Sequence, residues 1–210
     1  MIKNPHRIFI AVGVVCILFA ISLTAYNFYA DIHAGNESDR IVNELHIVIP
    51  QEEQPAKEDP IEGLSYYQYE PDYEMPTTEI DGVKYIGILS IPELDLEFPV
   101  ASEWSYPQLK KTPCRYSGSA YSNDLVICAH NYRNHFGRLS GISEKTVIVF
   151  TDADGNVFHY EVYDVEILKP NQAKEMKEYD DGLTLFTCTL GGRTRMTMRT
   201  VLIEDLSAEK

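Results

Sequence analysis

Two residues near the C-terminus, Cys188 and Arg195, are the ones whose types and spacing most readily do chemistry. They flank Gly191-Gly192, and the segments on either side, Leu183 to Thr189 and Thr194 to Ile203, are β-type in composition. Paired glycines between two such runs read as a two-residue hairpin turn. Residues equidistant from that turn face each other, so Cys188 is predicted opposite Arg195, on one face, with Cβ atoms roughly 4.5–5.5 Å apart. Leu185, Met196 and Met198 fall on the other face, which suits a core; a slip of one residue would reverse both sets.

A thiol beside a guanidinium has two uses. The fixed positive charge favours thiolate, the reactive form, and the N–H groups can donate to the oxyanion that forms when a thiolate attacks a carbonyl. Acyl transfer also needs a proton donor for the departing amine, most often a histidine. His130, His135 and His159 are the candidates. His130 ends the apolar run Leu125 to Ala129, where a strand end presents its side chain at a rim; His135 lies on the following loop or helical turn, and His159 is interior to a strand. With unperturbed pKa values near 8.5 for Cys and 6.5 for His, only a few per cent of such thiols are ionised at neutral pH. A stabilised thiolate–imidazolium pair and a small active fraction are both open. Each residue alone has a plainer reading: a buried inert cysteine, a satisfied structural histidine, a solvated arginine.

The elements that would position these residues begin with Ile8 to Ala25, eighteen residues without a charge, extended by Tyr26, Phe28 and Tyr29. That length crosses hydrocarbon as a helix, with aromatic residues at the interface. Lys3 and Arg7 precede it and Asp31, Glu37 and Asp39 follow, a charge bias that predicts a cytoplasmic N-terminus, residues 1–7, and an anchor over 8–29. A cleaved signal peptide is the alternative, for which the apolar region is long. Residues 30–81 are acidic and proline-bearing, which predicts a flexible extracellular linker with local contacts. From Gly82 short β-type segments take over: Val83 to Ile91, the alternating Leu94 to Val100, Leu125 to Ala129, and the pair Thr146 to Thr151 and Val157 to Leu168 around Asp154-Gly155-Asn156. Short helices are predicted near Tyr106–Lys110, His135–Ser140 and Ala173–Tyr179. The pattern predicts one mostly-β barrel or sandwich over 82–206, with 207–210 as a tail. A formal charge of −14 excludes a nucleic-acid partner, which would need clustered cations.

At these residues the chain resembles the sortase family. The resemblance rests on LTLFTC at Leu183 to Cys188 against a TLxTC signature, on Ala129-His130-Asn131 as the upstream strand-end histidine, and on Arg195 in the strand after the cysteine. It covers roughly Gly82 to Ile203 and implies a closed eight-stranded sortase-type β-barrel behind an N-terminal transmembrane helix. It further implies that His130, Cys188 and Arg195 form a catalytic triad, with Arg193 and Arg199 as alternatives to Arg195. Thr187 and Asn131 would be substrate-binding. Such enzymes cleave an LPxTG-like sorting signal through a cysteine thioester. They transfer the surface protein or pilin to an amine of a peptidoglycan precursor or a pilin lysine. The implied location is the cell membrane of a Gram-positive type of cell, crossed once, with the catalytic domain outside. Lys169 to Gly182 is too short for the long helical insertion of class B sortases.

No metal is expected. His130 and His135 have no third ligand placed near them, and Glu175, Glu178, Asp180 and Asp181 lack EF-hand spacing and read as a solvated loop; calcium there, as in some class A sortases, is the alternative. Cys114 and Cys128 are open to both free-thiol and disulfide readings. Two rival functions are a papain-like cell-wall cysteine peptidase, which places Cys before His and at the start of a helix, and a non-catalytic membrane-tethered β-domain.

Overall fold

The structure, a computed structural model, describes residues 5–50, 74–177 and 182–203. Among the described residues there are nine strands: β1 (Thr78–Ile80), β2 (Val83–Ile91), β3 (Leu96–Ala101), β4 (Cys114–Ser117), β5 (Val126–Ala129), β6 (Val147–Asp152), β7 (Val157–Leu168), β8 (Thr184–Cys188) and β9 (Arg195–Leu202). They are hydrogen-bonded in the order β1-β2-β3-β4-β5-β8-β9-β7-β6, and a further β2–β6 pairing joins the last strand back to the second. Eight strands therefore close into a barrel, and β1 extends one end of β2 as a short hairpin arm. Closure removes the open edges that an eight-stranded sheet would otherwise expose.

The interior is filled from every side by Ile86, Leu89, Phe98, Phe150, Phe158, Tyr160, Leu185 and Met198, all buried. Alternate residues of β6 and the first half of β7 point out and are partly exposed. β2 is different: Tyr85 and Ile88 point outward and are buried too, which is why Val83 to Ile91 reads as a continuous apolar run rather than an alternation.

What covers that outer face is the helix α1 (Pro5–Val48), unbroken over 44 residues. Its first half is long and apolar enough to cross a membrane, and that apolar stretch is not buried anywhere in the fold. The acidic composition after residue 30 predicts a loose spacer; instead the helix continues, and Ala34, Ser38, Ile41, Val42, Leu45 and Ile49 are buried. These recur at intervals of one to four and form a single stripe, of which Ile41, Leu45 and Ile49 pack with Ile80, Tyr85, Ile88, Ala101, Cys114 and Cys128 outside the barrel wall. Glu37, Arg40 and Glu44 pair along the solvent side of the helix, so these three charges leave the packed stripe apolar. The rest of the predicted linker from residue 51 to 73 lies outside the described residues, as does the tail at 207–210.

The short helices are α2 (Tyr106–Leu109), started by a Ser105 Oγ cap on the Gln108 amide, and α3 (Ala173–Lys177). The third helical segment predicted is a 3-10 turn at Phe136–Gly141.

Truncating Leu45, fully buried under the barrel wall, by Leu45→Ala should lower unfolding free energy by about 2–5 kcal/mol. Ile47→Ala, two residues away and 82% exposed, should change it by less than about 0.5 kcal/mol. Denaturant titration of the full chain in detergent distinguishes the two.

Candidate active site

The site is made by three neighbouring strand ends. β5 and β8 run parallel with Ala129 beside Thr187, so the next residues, His130 and Cys188, leave adjacent strands side by side. Adjacent strands are about 4.8 Å apart. β9 runs antiparallel to β8 and sets Cys188 opposite Arg195. Cys188 thus stands between an imidazole and a guanidinium, and all three line one groove of about 270 Å3.

The predicted pairing is the one observed, although the connection is wider than two residues. The strands stop at Cys188 and Arg195, Thr189 and Thr194 are joined by a backbone bond of 3.0 Å, and Gly192 N donates to Thr189 O. Gly191 and Gly192 take φ of 83° and 69°, left-handed values open to glycine without penalty. Because the loop is symmetric about the glycine pair, its width leaves the register unchanged.

His130 is partly buried in the groove wall. The imidazole is held below its usual pKa, first by burial and then by the nearby Lys110 charge, so it is neutral at pH 7. Its Nε2 is buried and makes no hydrogen bond among the described residues. The ring of Tyr132 lies against it, 4.9 Å between centroids and tilted by 30°. Arg195 donates from Nη1 to the carbonyls of Gly192 and Thr194, each at 3.1 Å, which orients the guanidinium at the groove's edge.

The other predicted residues divide. Arg199 is buried: it pairs with Glu166 at 2.8 Å and donates to Thr184 Oγ1 and to the carbonyls of Glu175 and Met176. Its fork ties α3 to β9 and sets Met176 in the groove wall. Arg193 lies on the exposed turn. Asn131 shares with Cys188 a second recess of about 360 Å3, lined also by Arg133, Leu190 and Met196. Thr187 does not face the groove. Being one residue from Cys188 on a strand, it points into the barrel, where it is buried and donates to Ala129 O at 2.9 Å. The hydroxyl fastens β8 to β5 beside the site. His135 is fully buried, with Nε2 bonded to Lys111 O at 3.1 Å. His159 is on β7 opposite Val149 and not in the groove.

The groove's apolar wall is not evident in the sequence. Trp104, Tyr116 and Phe186 contact in series, at 6.0 and 5.2 Å between centroids, and Tyr106, Leu109 and Met176 complete it. Only Phe186 had a readable signal, since it lies two residues before Cys188 and so on the same face. Cys114 and Cys128 are free, buried and opposite each other across β4–β5. Burial pushes Cys114 up to about 12 and Cys128 upward too. Among the described residues no three His, Cys, Asp or Glu side chains converge as a metal site. Glu178, Asp180 and Asp181 lie outside the described residues.

A family model for the sortase domain matches residues 89–206. No curated protein matches the chain by sequence. Among solved structures, Streptococcus pneumoniae sortase C is 23% identical, with a TM-score of 0.53 over 58% of this chain and 70% of its own. The sortase D5 transpeptidase of Clostridium perfringens is 19% identical, with a TM-score of 0.51 over 57% of this chain and 79% of its own. Sortase C1 from Streptococcus suis is 22% identical, with a TM-score of 0.52 over 60% and 76%.

Two outcomes follow from this geometry. Iodoacetamide at neutral pH, mapped by peptide mass spectrometry, should alkylate Cys188 while Cys114 and Cys128 stay unmodified until the chain is unfolded. Equal labelling of Cys128 and Cys188 contradicts the arrangement. His135 is held down at about 4 by burial, so the stability it confers is complete above its unfolded pKa of about 6.5 and is lost as pH falls towards 4. That gap is worth roughly 3 kcal/mol, and His135→Gln should flatten the pH dependence of unfolding over that interval.

Proposed function

Because the chain belongs to the sortase family, we propose that it is a membrane-anchored cysteine transpeptidase in which Cys188 is the nucleophile, His130 the proton carrier and Arg195 the oxyanion donor. The observation that supports this most is the row His130–Cys188–Arg195 on three adjacent strand ends in one groove. A papain-like peptidase would place its cysteine at the start of a helix; here the cysteine ends a strand.

In the proposed step, Sγ of Cys188 attacks the carbonyl carbon of the scissile peptide bond. Its proton passes to the neutral imidazole of His130, and the developing oxyanion takes hydrogen bonds from Arg195. The C–N bond then breaks, His130 returns the proton to the departing amine, and the acyl group remains as a thioester. An acceptor amine attacks that thioester, gives its proton to His130 and regenerates the thiol. The donor is a surface protein or pilin with an LPxTG-like signal. Its leucine and proline suit the wall formed by Trp104, Tyr116, Phe186 and Met176, since apolar side chains gain from leaving water there. The acceptor is an amine of a peptidoglycan precursor or a pilin lysine. α1 crosses the membrane once, with Lys3 and Arg7 on the cytoplasmic side and the barrel outside.

Incubating the full chain in detergent with a panel of sorting-signal peptides should yield a covalent adduct on Cys188, seen by mass spectrometry and released by hydroxylamine. Cys188→Ala should abolish it, and Arg195→Ala should lower the acylation rate about 10²–10³-fold. Because His130 must be neutral to take the proton, acylation should fall as pH drops through its lowered pKa, giving an acid limb below about 6.5. Turnover that survives Cys188→Ala rules the proposal out.

A further inference from the structure

We propose that Cys114 and Cys128 are a disulfide-forming pair: outside the cell they close a cross-strand bond beneath α1, tying the strand that carries part of the groove's aromatic wall to the strand that leads into His130. The inference rests on the barrel lying outside the cell and not on the chemistry of Cys188.

The register sets the two residues directly opposite each other in the antiparallel β4–β5 pair. Opposite residues in such a pair have Cα atoms about 4.5–5.5 Å apart, whichever kind of site they occupy. A disulfide spans roughly 4.4–6.8 Å between Cα atoms, so no backbone movement is needed. Both side chains lie on the outer face of the barrel wall, Cys114 0% and Cys128 4% exposed, in one cluster with Ile41, Leu45 and Ile49 of α1. Cys114 Sγ donates to Thr112 O at 3.4 Å, a weak contact that is given up at little cost when the sulfur turns toward Cys128. Burial alone fits two small apolar fillers; the direct facing of two thiols in an exported domain fits a bond.

Cys188 is a poor rival for Cys128. In the parallel β5–β8 pair Cys128 lies beside Phe186, two residues before Cys188. With strands about 4.8 Å apart and two residues spanning about 6.6 Å, that diagonal is roughly 8 Å between Cα atoms, beyond the roughly 7 Å that a bridge tolerates. Cys128 and Cys188 both line the groove. Closing Cys128 onto Cys114 therefore leaves Cys188 as the one thiol in that lining among the described residues.

The bond falls where the wall is held least. β4 has one residue pair with β3, Ala101 with Cys114, and its ladder to β5 shifts register between Arg115 and Ser117. Tyr116 follows Cys114 by two residues and His130 follows Cys128 by two. A covalent link between the cysteines thus fixes the aromatic side of the groove against its histidine side.

Closure needs a disulfide as oxidant. The Cys128 thiolate attacks one sulfur of that disulfide, whose S–S bond breaks and releases one thiol. Cys114 then attacks Cys128 Sγ in the mixed disulfide and releases the second thiol. The two cysteines lose two electrons, the oxidant gains them, and both thiol protons end on the released thiols. Burial holds both cysteines above the usual thiol pKa, which keeps thiolate scarce once α1 is packed. Closure should therefore be faster while the chain refolds than in the folded chain.

The test uses the full chain in detergent with Cys188→Ala, which confines the readout to the buried pair. Oxidised glutathione is added to the folded chain and, separately, during refolding from urea. Remaining thiols are blocked with N-ethylmaleimide in denaturant before tryptic digestion without reductant. Cleavage after Lys111, Arg115 and Arg133 separates the two cysteines into residues 112–115 and 116–133. Mass spectrometry should find these peptides joined, at their summed mass less two hydrogens, and reductant should part them. For a closed loop of about 15 residues, the oxidised chain should melt about 6–12 °C above the same chain after reduction, followed by Trp104 fluorescence. Cys114→Ala should abolish both the joined peptides and the shift. Maleimide or glutathione on separate Cys114 and Cys128 peptides after both treatments overturns the proposal, as does a linkage of Cys128 to any cysteine but Cys114.

Discussion

The arrangement depends on the parallel pairing of β5 with β8 in one register, Ala129 beside Thr187. Parallel neighbours point their C-terminal ends the same way, so this single pairing delivers His130 and Cys188 to one rim from positions 58 residues apart. The Thr187 hydroxyl, bonded to Ala129 O inside the barrel, opposes slippage at the last step before the site. A shift of one residue would turn the Cys188 sulfur into a core already filled by Leu185 and Met198 and leave an arginine facing apolar side chains. The apolar face and the reactive face of β8 are thus alternatives separated by one residue, and the core selects between them.

Around that pairing, two polar networks do the shaping. Arg199 is held by one carboxylate, one hydroxyl and two carbonyls, and this brings α3 and its Met176 against the aromatic wall. A buried guanidinium without those partners would be strongly unfavourable, so the network makes the position of α3 a condition of folding β9 at all. On the other side His135 and Asn134 fasten the loop after His130 to the backbone of Lys111 and to α1. The groove is therefore clamped from two directions by groups that take no part in chemistry.

What the sequence disclosed, and what it hid, follows the range of each interaction. The β8–β9 register was legible because paired glycines place a turn locally, and so was the face shared by Cys188 and Arg195. The eight-stranded barrel followed from the strand pattern only once the resemblance of LTLFTC, His130 and Arg195 was added, since strand order is set by long-range pairings such as β5–β8 that no local signal encodes. The second half of α1 was hidden because its stripe, Ala34 to Ile49, is diluted by Asp39, Arg40 and Glu44 on the outer face; composition reports the average, and only the spacing reports the face. Trp104 and Tyr116 were unreadable for a related reason, since they reach the groove through the pairing of Ala101 with Cys114 and of Cys114 with Cys128. Thr187 points into the barrel although it neighbours Cys188, because adjacency in sequence is opposition in a strand.

The most direct test of the three-strand arrangement is a crystal structure of the chain carrying a sorting-signal mimic covalently attached to Cys188. The expected result is a peptide lying along Trp104, Tyr116 and Phe186, its carbonyl oxygen within hydrogen-bonding distance of the Arg195 guanidinium, and His130 Nε2 facing the sulfur. A peptide leaving the groove in another direction, with Arg195 and His130 both turned away from the adduct, would contradict it.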